Sequence, residues 1–256
     1  MAIFLLKKSY QVSNQKEIGF KDLWGSHGVF TTIRLLGKPG KLVFFKSHLK
    51  GLIKSLKKYK IHSKNIEKNI KNLIYSSIDK NINYDHLLRV ALTNKILSIS
   101  IRKRLKPKKN FELKLINYRR IDPETKNLYY KKILKELSKY DPSKTDIALV
   151  YRGKILETCT SNILLFKNKK YFSPKNDCYI GNTINFLKRK IKISFKDIYY
   201  KDLKKFDEIM LIGSGKGITP IKYIKEINWK NKNNFGYRKV SRNLSRHRSI
   251  CIIRSV

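Results

Sequence analysis

Acidic residues are scarce in this 256-residue chain: 18 Asp and Glu stand against 59 Lys and Arg, a formal net charge of +41. A field of that size attracts phosphates and other polyanions. The lysines, however, run from Lys7 to Lys239 with no basic tail, no helix-turn-helix pattern and no aromatic RNP-like strand. The charge therefore reads as a residue bias spread over the whole chain, and a nucleic-acid partner is not expected. The densest run, "RKRLKPKKN" at 102–110, reads as a loop or linker. Cysteine is equally sparse. Cys159, Cys178 and Cys251 are an odd number without a CxxC pair, which excludes a disulfide framework and a zinc knuckle and fits a reducing cytoplasm. No apolar run approaches the ~18 residues of a membrane span. The opening "MAIFLLKKSYQ" has too short an apolar stretch for a secretory signal, and its lysines follow that stretch, so a cytoplasmic protein is expected.

Familiar catalytic motifs are missing too. There is no HExxH, and the five histidines (27, 48, 62, 86 and 247) have no ligand spacing, so no metal is expected. No GxSxG elbow and no GxGxxG after a first strand are present. One segment, "LIGSGKGITPI" at 211–221, looks made to hold a phosphate. It fails the P-loop pattern, because Gly217 rather than Ser or Thr follows Lys216 and the spacing from Gly213 is wrong.

What is present is a chain able to build a core, with 41% hydrophobic residues. Strand-like runs flank Gly37-Lys38-Pro39-Gly40, a hairpin signal. Leu49, Leu52, Ile53 and Leu56 recur at helical spacing, and "KNIEKNIKNLIYSSI" is a second amphipathic helix. "HLLRVALT" reads as a strand. Beyond the basic stretch around Pro107, "KNLYYKKILKELSKY" is helical in pattern. "TDIALVY", "GKILETCT", "SNILLFKNKKYFSP" and "FDEIMLIGSG" read as strands, and "NTINFLKRK" opens a helix. Strands and helices mix in both halves without regular βαβ alternation, which predicts an α+β fold in two domains, 1–112 and 113–256.

The stretch "TDIALVYRGKILETCTSNILLFKNKKYFSP" resembles the fold-type IV pyridoxal-phosphate enzymes, a family of branched-chain and D-amino acid aminotransferases and 4-amino-4-deoxychorismate lyase. Asp146, Gly153, Glu157, Asn162 and Ser173-Pro174 stand in the family's order. "GVFTTIR", "HLKGLIKS", "GNTINFLK" and "GSGKGITPI" extend the resemblance over most of the chain.

The resemblance implies pyridoxal 5′-phosphate as cofactor, a small-molecule amino substrate and a homodimer. It implies Lys126 as the lysine that holds the cofactor and shuttles the Cα proton, with Lys131 and Lys132 as runners-up. Glu157 would face the pyridine nitrogen. Asn162, Gly181, Asn182, Thr183, Gly213 and Ser214 would surround the cofactor, with Lys216 left in solvent. The family's phosphate arginine is replaced by Gly51 here and the arginine of its Gly-Ile-Thr-Arg turn by Ile184; Lys50 or Lys54 would supply the charge instead. Phe30 and Arg34 would face the substrate. The lysine spacing, the chain length and "ETCTSN" point to the lyase, which releases pyruvate from 4-amino-4-deoxychorismate. Alternatives are an aminotransferase for branched-chain or D-amino acids and a cofactor-free polyanion binder on the same fold.

Overall fold

The computed structural model describes residues 3–247 and 252–253. Two compact units divide the chain. The first comprises Met1–Arg104, Thr125–Lys131 and Ser249–Val256; the second comprises Leu105–Glu124 and Lys132–Arg248.

The first unit is an antiparallel sheet carrying two helices. Its elements are β1 (Phe4–Gln11), β2 (Glu17–Ile18), β3 (Val29–Gly37), β4 (Lys41–Val43), α1 (Phe45–Lys58), α2 (Ile66–Ser76), β5 (Tyr84–Leu92) and β6 (Ile96–Lys103). The strand order is Ile252–Ile253, β4, β3, β5, β6, β1, β2. Side chains alternate along β3. Val29, Ile33 and Leu35 are buried in one core with Phe45, Leu49, Leu52 and Leu56, which recur on one face of α1. Phe30, Thr32 and Arg34 therefore project from the opposite face of the sheet. The expected hairpin at Gly37–Gly40 joins β3 to β4, with Gly37 at φ 84°, a backbone region that suits glycine.

The second unit has two five-stranded sheets. In chain order it contains β7 (Glu112–Asn117), α3 (Lys131–Leu137, whose first residue is counted with the first unit), β8 (Thr145–Tyr151), β9 (Lys154–Thr158), β10 (Asn162–Lys167) and β11 (Lys170–Pro174). Then come α4 (Asn182–Leu187), β12 (Ile193–Lys196), β13 (Glu208–Gly213), β14 (Gly217–Pro220), β15 (Tyr223–Ile224), β16 (Trp229–Lys230) and α5 (Phe235–His247). One sheet runs β12-β11-β10-β13-β14 and the other β16-β15-β7-β8-β9. Phe111, Ala148, Ile163, Leu165, Ile209 and Leu211 lie in the core of this unit.

Two expectations change. The helical pattern over 126–140 becomes a helix only from Lys131, because the residues before it are extended: Phe30 N–H donates to Lys126 O at 2.9 Å and Leu128 N–H to Gly28 O at 2.9 Å. The same bonds group Thr125–Lys131 with the first unit, whereas a boundary at 112/113 placed Lys126 in the second domain. β4 pairs with β3 only at Leu35 and Leu36, so the start of β3 has an open edge for this segment to fill.

Candidate active site

In the first unit, Lys126 is seated by backbone geometry. Val29 pairs with Asn127 in an antiparallel bridge, which sets Lys126 opposite Phe30 on the same face. Its Nζ lies 4.9 Å from the centre of the Phe30 ring. Phe30 is itself held edge-on by Trp24, at 4.8 Å, and by Tyr130, at 5.3 Å. Gly28 permits this seat. A Cβ there would collide with the Leu92 carbonyl oxygen and sit 2.7 Å from Leu128 Cδ1, so the glycine of "GVFTTIR" is a packing requirement.

His48 was missed by sequence reasoning. It is buried on α1, and its Nδ1 lies 2.8 Å from Thr31 Oγ1. Burial, and then the positive charge of Lys126, lower its pKa to about 3, so the ring is neutral at neutral pH.

Three assignments in this unit change. Lys50 and Lys54 are exposed. At 100° per residue, Lys50 projects well away from the flank of α1 that carries Gly51. Lys58, seven residues on, shares that flank, and its Nζ donates to Thr125 Oγ1 at 3.0 Å, one residue before Lys126. Arg34 does lie on the Phe30 face, but its guanidinium pairs with Asp85 at 3.1 Å with only 11% of the side chain exposed. Asp85, on the neighbouring strand β5, is shared between Arg34 and Arg104, which lies 3.6 Å away.

In the second unit, Glu157 ends β9 almost fully buried, 5% exposed. Its Oε1 accepts from Nε and Nη2 of Arg120, both at 2.7 Å, and Oε2 accepts from Tyr179 N–H at 3.3 Å. Arg120 is 1% exposed and also donates to the Pro123 carbonyl. Two charge-assisted bonds from the guanidinium to one carboxylate oxygen fix Glu157 in orientation. Arg120 sits in the basic run "YRRIDPETK", where nothing local separates it from its neighbours.

Asn162 starts β10 and spends its side chain on a turn, donating to Tyr179 O at 2.6 Å and accepting from Gly181 N–H at 2.9 Å. Asn162 is thus a positioning residue for the segment before α4. The amide of Gly181 is used up there, so it shapes the turn and does not donate to a phosphate. No side chain caps α4, and the amides of Asn182 and Thr183 in its first turn have no partner within the helix.

"GSGKG" forms the tight connection of the β13–β14 hairpin, with Gly213 paired to Gly217. A P-loop needs a strand leading into a helix, so the topology excludes that reading as well. Ser214 follows Gly213, whose Cβ, if present, would lie 2.8 Å from Ser161 Oγ. Lys216 is not in solvent. Its side chain is 11% exposed, 3.7 Å from the buried carboxylate of Asp146, and its Nζ lies 4.6 Å from the centre of the Phe111 ring. Asp146 also accepts from Thr158 and Thr160, at 2.9 and 2.6 Å. Burial raises the thiol pKa values of Cys159 and Cys178, the latter to about 12, so neither is a ready nucleophile.

Two half-sets result: a lysine on an aromatic seat in one unit, and an anchored carboxylate beside two close-packed glycine turns in the other. The family model described as amino-transferase class IV matches residues 28–224. The chain belongs to this family. The class IV aminotransferases are a pyridoxal-phosphate-dependent family, and the fold is that of their fold-type IV structures. A branched-chain aminotransferase from Thermoproteus uzoniensis superposes with a TM-score of 0.79 at 14% identity, over 99% of each chain. The branched-chain aminotransferase of Escherichia coli gives 0.74 at 14%, over 94% of each. A candidate 4-amino-4-deoxychorismate lyase from Legionella pneumophila gives 0.73 at 17%, over 86% of this chain and 91% of that one. No curated protein matches by sequence. Among the described residues, no helix is long and apolar enough to cross a membrane.

Proposed function

We propose that this class IV chain is a pyridoxal-phosphate-dependent lyase that releases pyruvate from 4-amino-4-deoxychorismate, leaving 4-aminobenzoate. The observation that carries the cofactor reading is Glu157: a buried carboxylate held in a fixed orientation by Arg120 and the Tyr179 amide, of the kind that would face a protonated ring nitrogen. The donor set fits the rest of the group. Lys126 supplies the amine, and the Asn182 and Thr183 amides with the Ser214 hydroxyl supply donors for a phosphate.

Bound pyridoxal phosphate supplies an electron sink for the electron pair of the substrate Cα–H bond. Lys126 would hold that group, and once freed by the substrate amine its own amine would take the Cα proton. The Phe30 ring steadies the ammonium form of Lys126 between these steps. His48 stays neutral, so it adds no second positive charge to hold Lys126 away from substrate. Glu157, fixed by Arg120, favours the protonated pyridine. Expulsion of enolpyruvate then aromatises what remains of the substrate.

The lyase reading rests on "ETCTSN" and on a substrate-side sheet face rich in arginine, which suits a dicarboxylate. A class IV aminotransferase acting on branched-chain or D-amino acids is the second reading, favoured by the named branched-chain aminotransferases of the same fold. The purified chain, loaded with pyridoxal phosphate, is expected to release pyruvate from 4-amino-4-deoxychorismate. Keto-acid formation from leucine or D-alanine with no pyruvate release would overturn the lyase in favour of the aminotransferase. The homodimer and the cytoplasm remain part of this proposal.

A further inference from the structure

Arg34 is engaged by Asp85, which directs attention to the other cations on the same face. Residues directly opposite on antiparallel strands share a face. The register across β3, β5 and β6 gives three rows: Phe30–Ala91–Ser98, Thr32–Arg89–Ser100 and Arg34–Leu87–Arg102. Lys126 extends the first row beyond Phe30. Three arginines thus surround Leu87 on the face that holds the lysine.

Two of them are committed. Arg34 pairs with Asp85, and Arg89 pairs with Asp22 while stacking over Trp24 at 4.5 Å. Arg102 is half-buried, and no carboxylate among the described residues pairs with it. Burial and the neighbouring Arg89 charge lower its pKa, the mark of a cation lacking a counter-charge. Ser100, 2% exposed and two residues away on the same face of β6, brings a hydroxyl that no side chain or backbone group among the described residues engages. A buried, uncompensated guanidinium is costly, and an arriving anion offsets that cost. Strand spacing of about 4.8 Å and a rise of about 3.4 Å per residue place the Arg102 Cα about 20 Å from that of Lys126. A small molecule with its amine at Lys126 and a carboxylate at Arg102 would lie along this face.

We propose that Arg102, assisted by the Ser100 hydroxyl, forms the subsite for a carboxylate remote from the reacting amine. This makes the pair the specificity determinant for a dicarboxylate amino substrate, and it rests on the reading of Lys126 as the reacting lysine. The test uses the full chain and two readouts. Calorimetric titration with glutarate, in the absence of cofactor, is expected to show binding that Arg102→Met weakens about 10- to 100-fold, the span of a lost charge-assisted hydrogen bond. Ser100→Ala should weaken it less, and Arg102→Lys should restore part. Pyridoxal phosphate loading, followed by visible absorbance, should be the same in all of them. No glutarate binding by the parent chain, or equal binding by Arg102→Met, overturns the proposal. A fall in melting temperature without a change in glutarate affinity assigns Arg102 to packing and also overturns it. Should Arg102→Met fail to fold, Arg102→Gln is read in its place. A chain that binds glutarate through Arg102 yet never takes up pyridoxal phosphate would instead sink the function proposed above.

Discussion

Replacing Glu157 by alanine removes one half of a buried ion pair and leaves the Arg120 guanidinium, 1% exposed, without its carboxylate. Removing one partner of such a pair costs about 3–5 kcal/mol, because the other charge stays buried and uncompensated. For a chain of this size that corresponds to a fall of about 6–20 °C in melting temperature. Replacing both partners by apolar residues of similar volume, Arg120→Met with Glu157→Leu, removes both desolvation penalties and should regain most of the loss. Stability and activity should then separate. The double variant is expected to melt near the parent temperature yet be inactive, since no carboxylate is left for the ring nitrogen. Glu157→Gln, which keeps the shape, should lower turnover by about 100-fold or more. Calorimetric melting with a steady-state assay on the parent, Arg120→Met, Glu157→Leu and the double variant completes the cycle. A Glu157→Ala chain as stable as the parent, or a double variant less stable than either single one, would refute the argument that this pair is a closed electrostatic unit.

The other predictions concern pH and packing. His48 is held neutral, with a folded pKa near 3 against 6.5 unfolded, so the unfolded chain binds the extra proton. Its contribution is therefore fully present above pH 6.5 and lost as pH falls toward 3, by up to about 1.4 kcal/mol per unit. Denaturant unfolding from pH 7 to pH 4 should show a steeper loss in the parent than in His48→Gln; parallel slopes would contradict it. Gly28→Ala must displace the Leu92 carbonyl or Leu128, and should cost about 1–3 kcal/mol and loosen Lys126. Gly19→Ala, with nothing within 4 Å, serves as its control and should be neutral by melting temperature.

Much of the fold was legible because its signals are local. The Gly37–Gly40 hairpin, the apolar stripe of α1 and the apolar runs of β10 and β11 each fit within a dozen residues. The order of Lys126, Glu157 and the glycine turns was legible as well. The pairing of Arg34 with Asp85 was not, because it depends on the register that pairs β3 with β5. Arg120 lay hidden for a related reason, being one cation among many until the fold sets it against Glu157, 37 residues away. The segment before α3 misled because its leucines and tyrosines have helical spacing. What decides its conformation is an open strand edge nearly 100 residues earlier, a tertiary constraint overriding local preference. Lys216 misled through composition: in a lysine-rich chain an exposed lysine is the ordinary expectation, whereas the buried Asp146 and the Phe111 ring draw this one inward.

The central claim is that Lys126 is the amine that holds the cofactor. Its most direct test is borohydride reduction of the chain after incubation with pyridoxal phosphate, followed by peptide mapping. The account predicts a single stable pyridoxyl label on Lys126, abolished by Lys126→Ala. A label on Lys131 or Lys132, or no label at saturating cofactor, would contradict it.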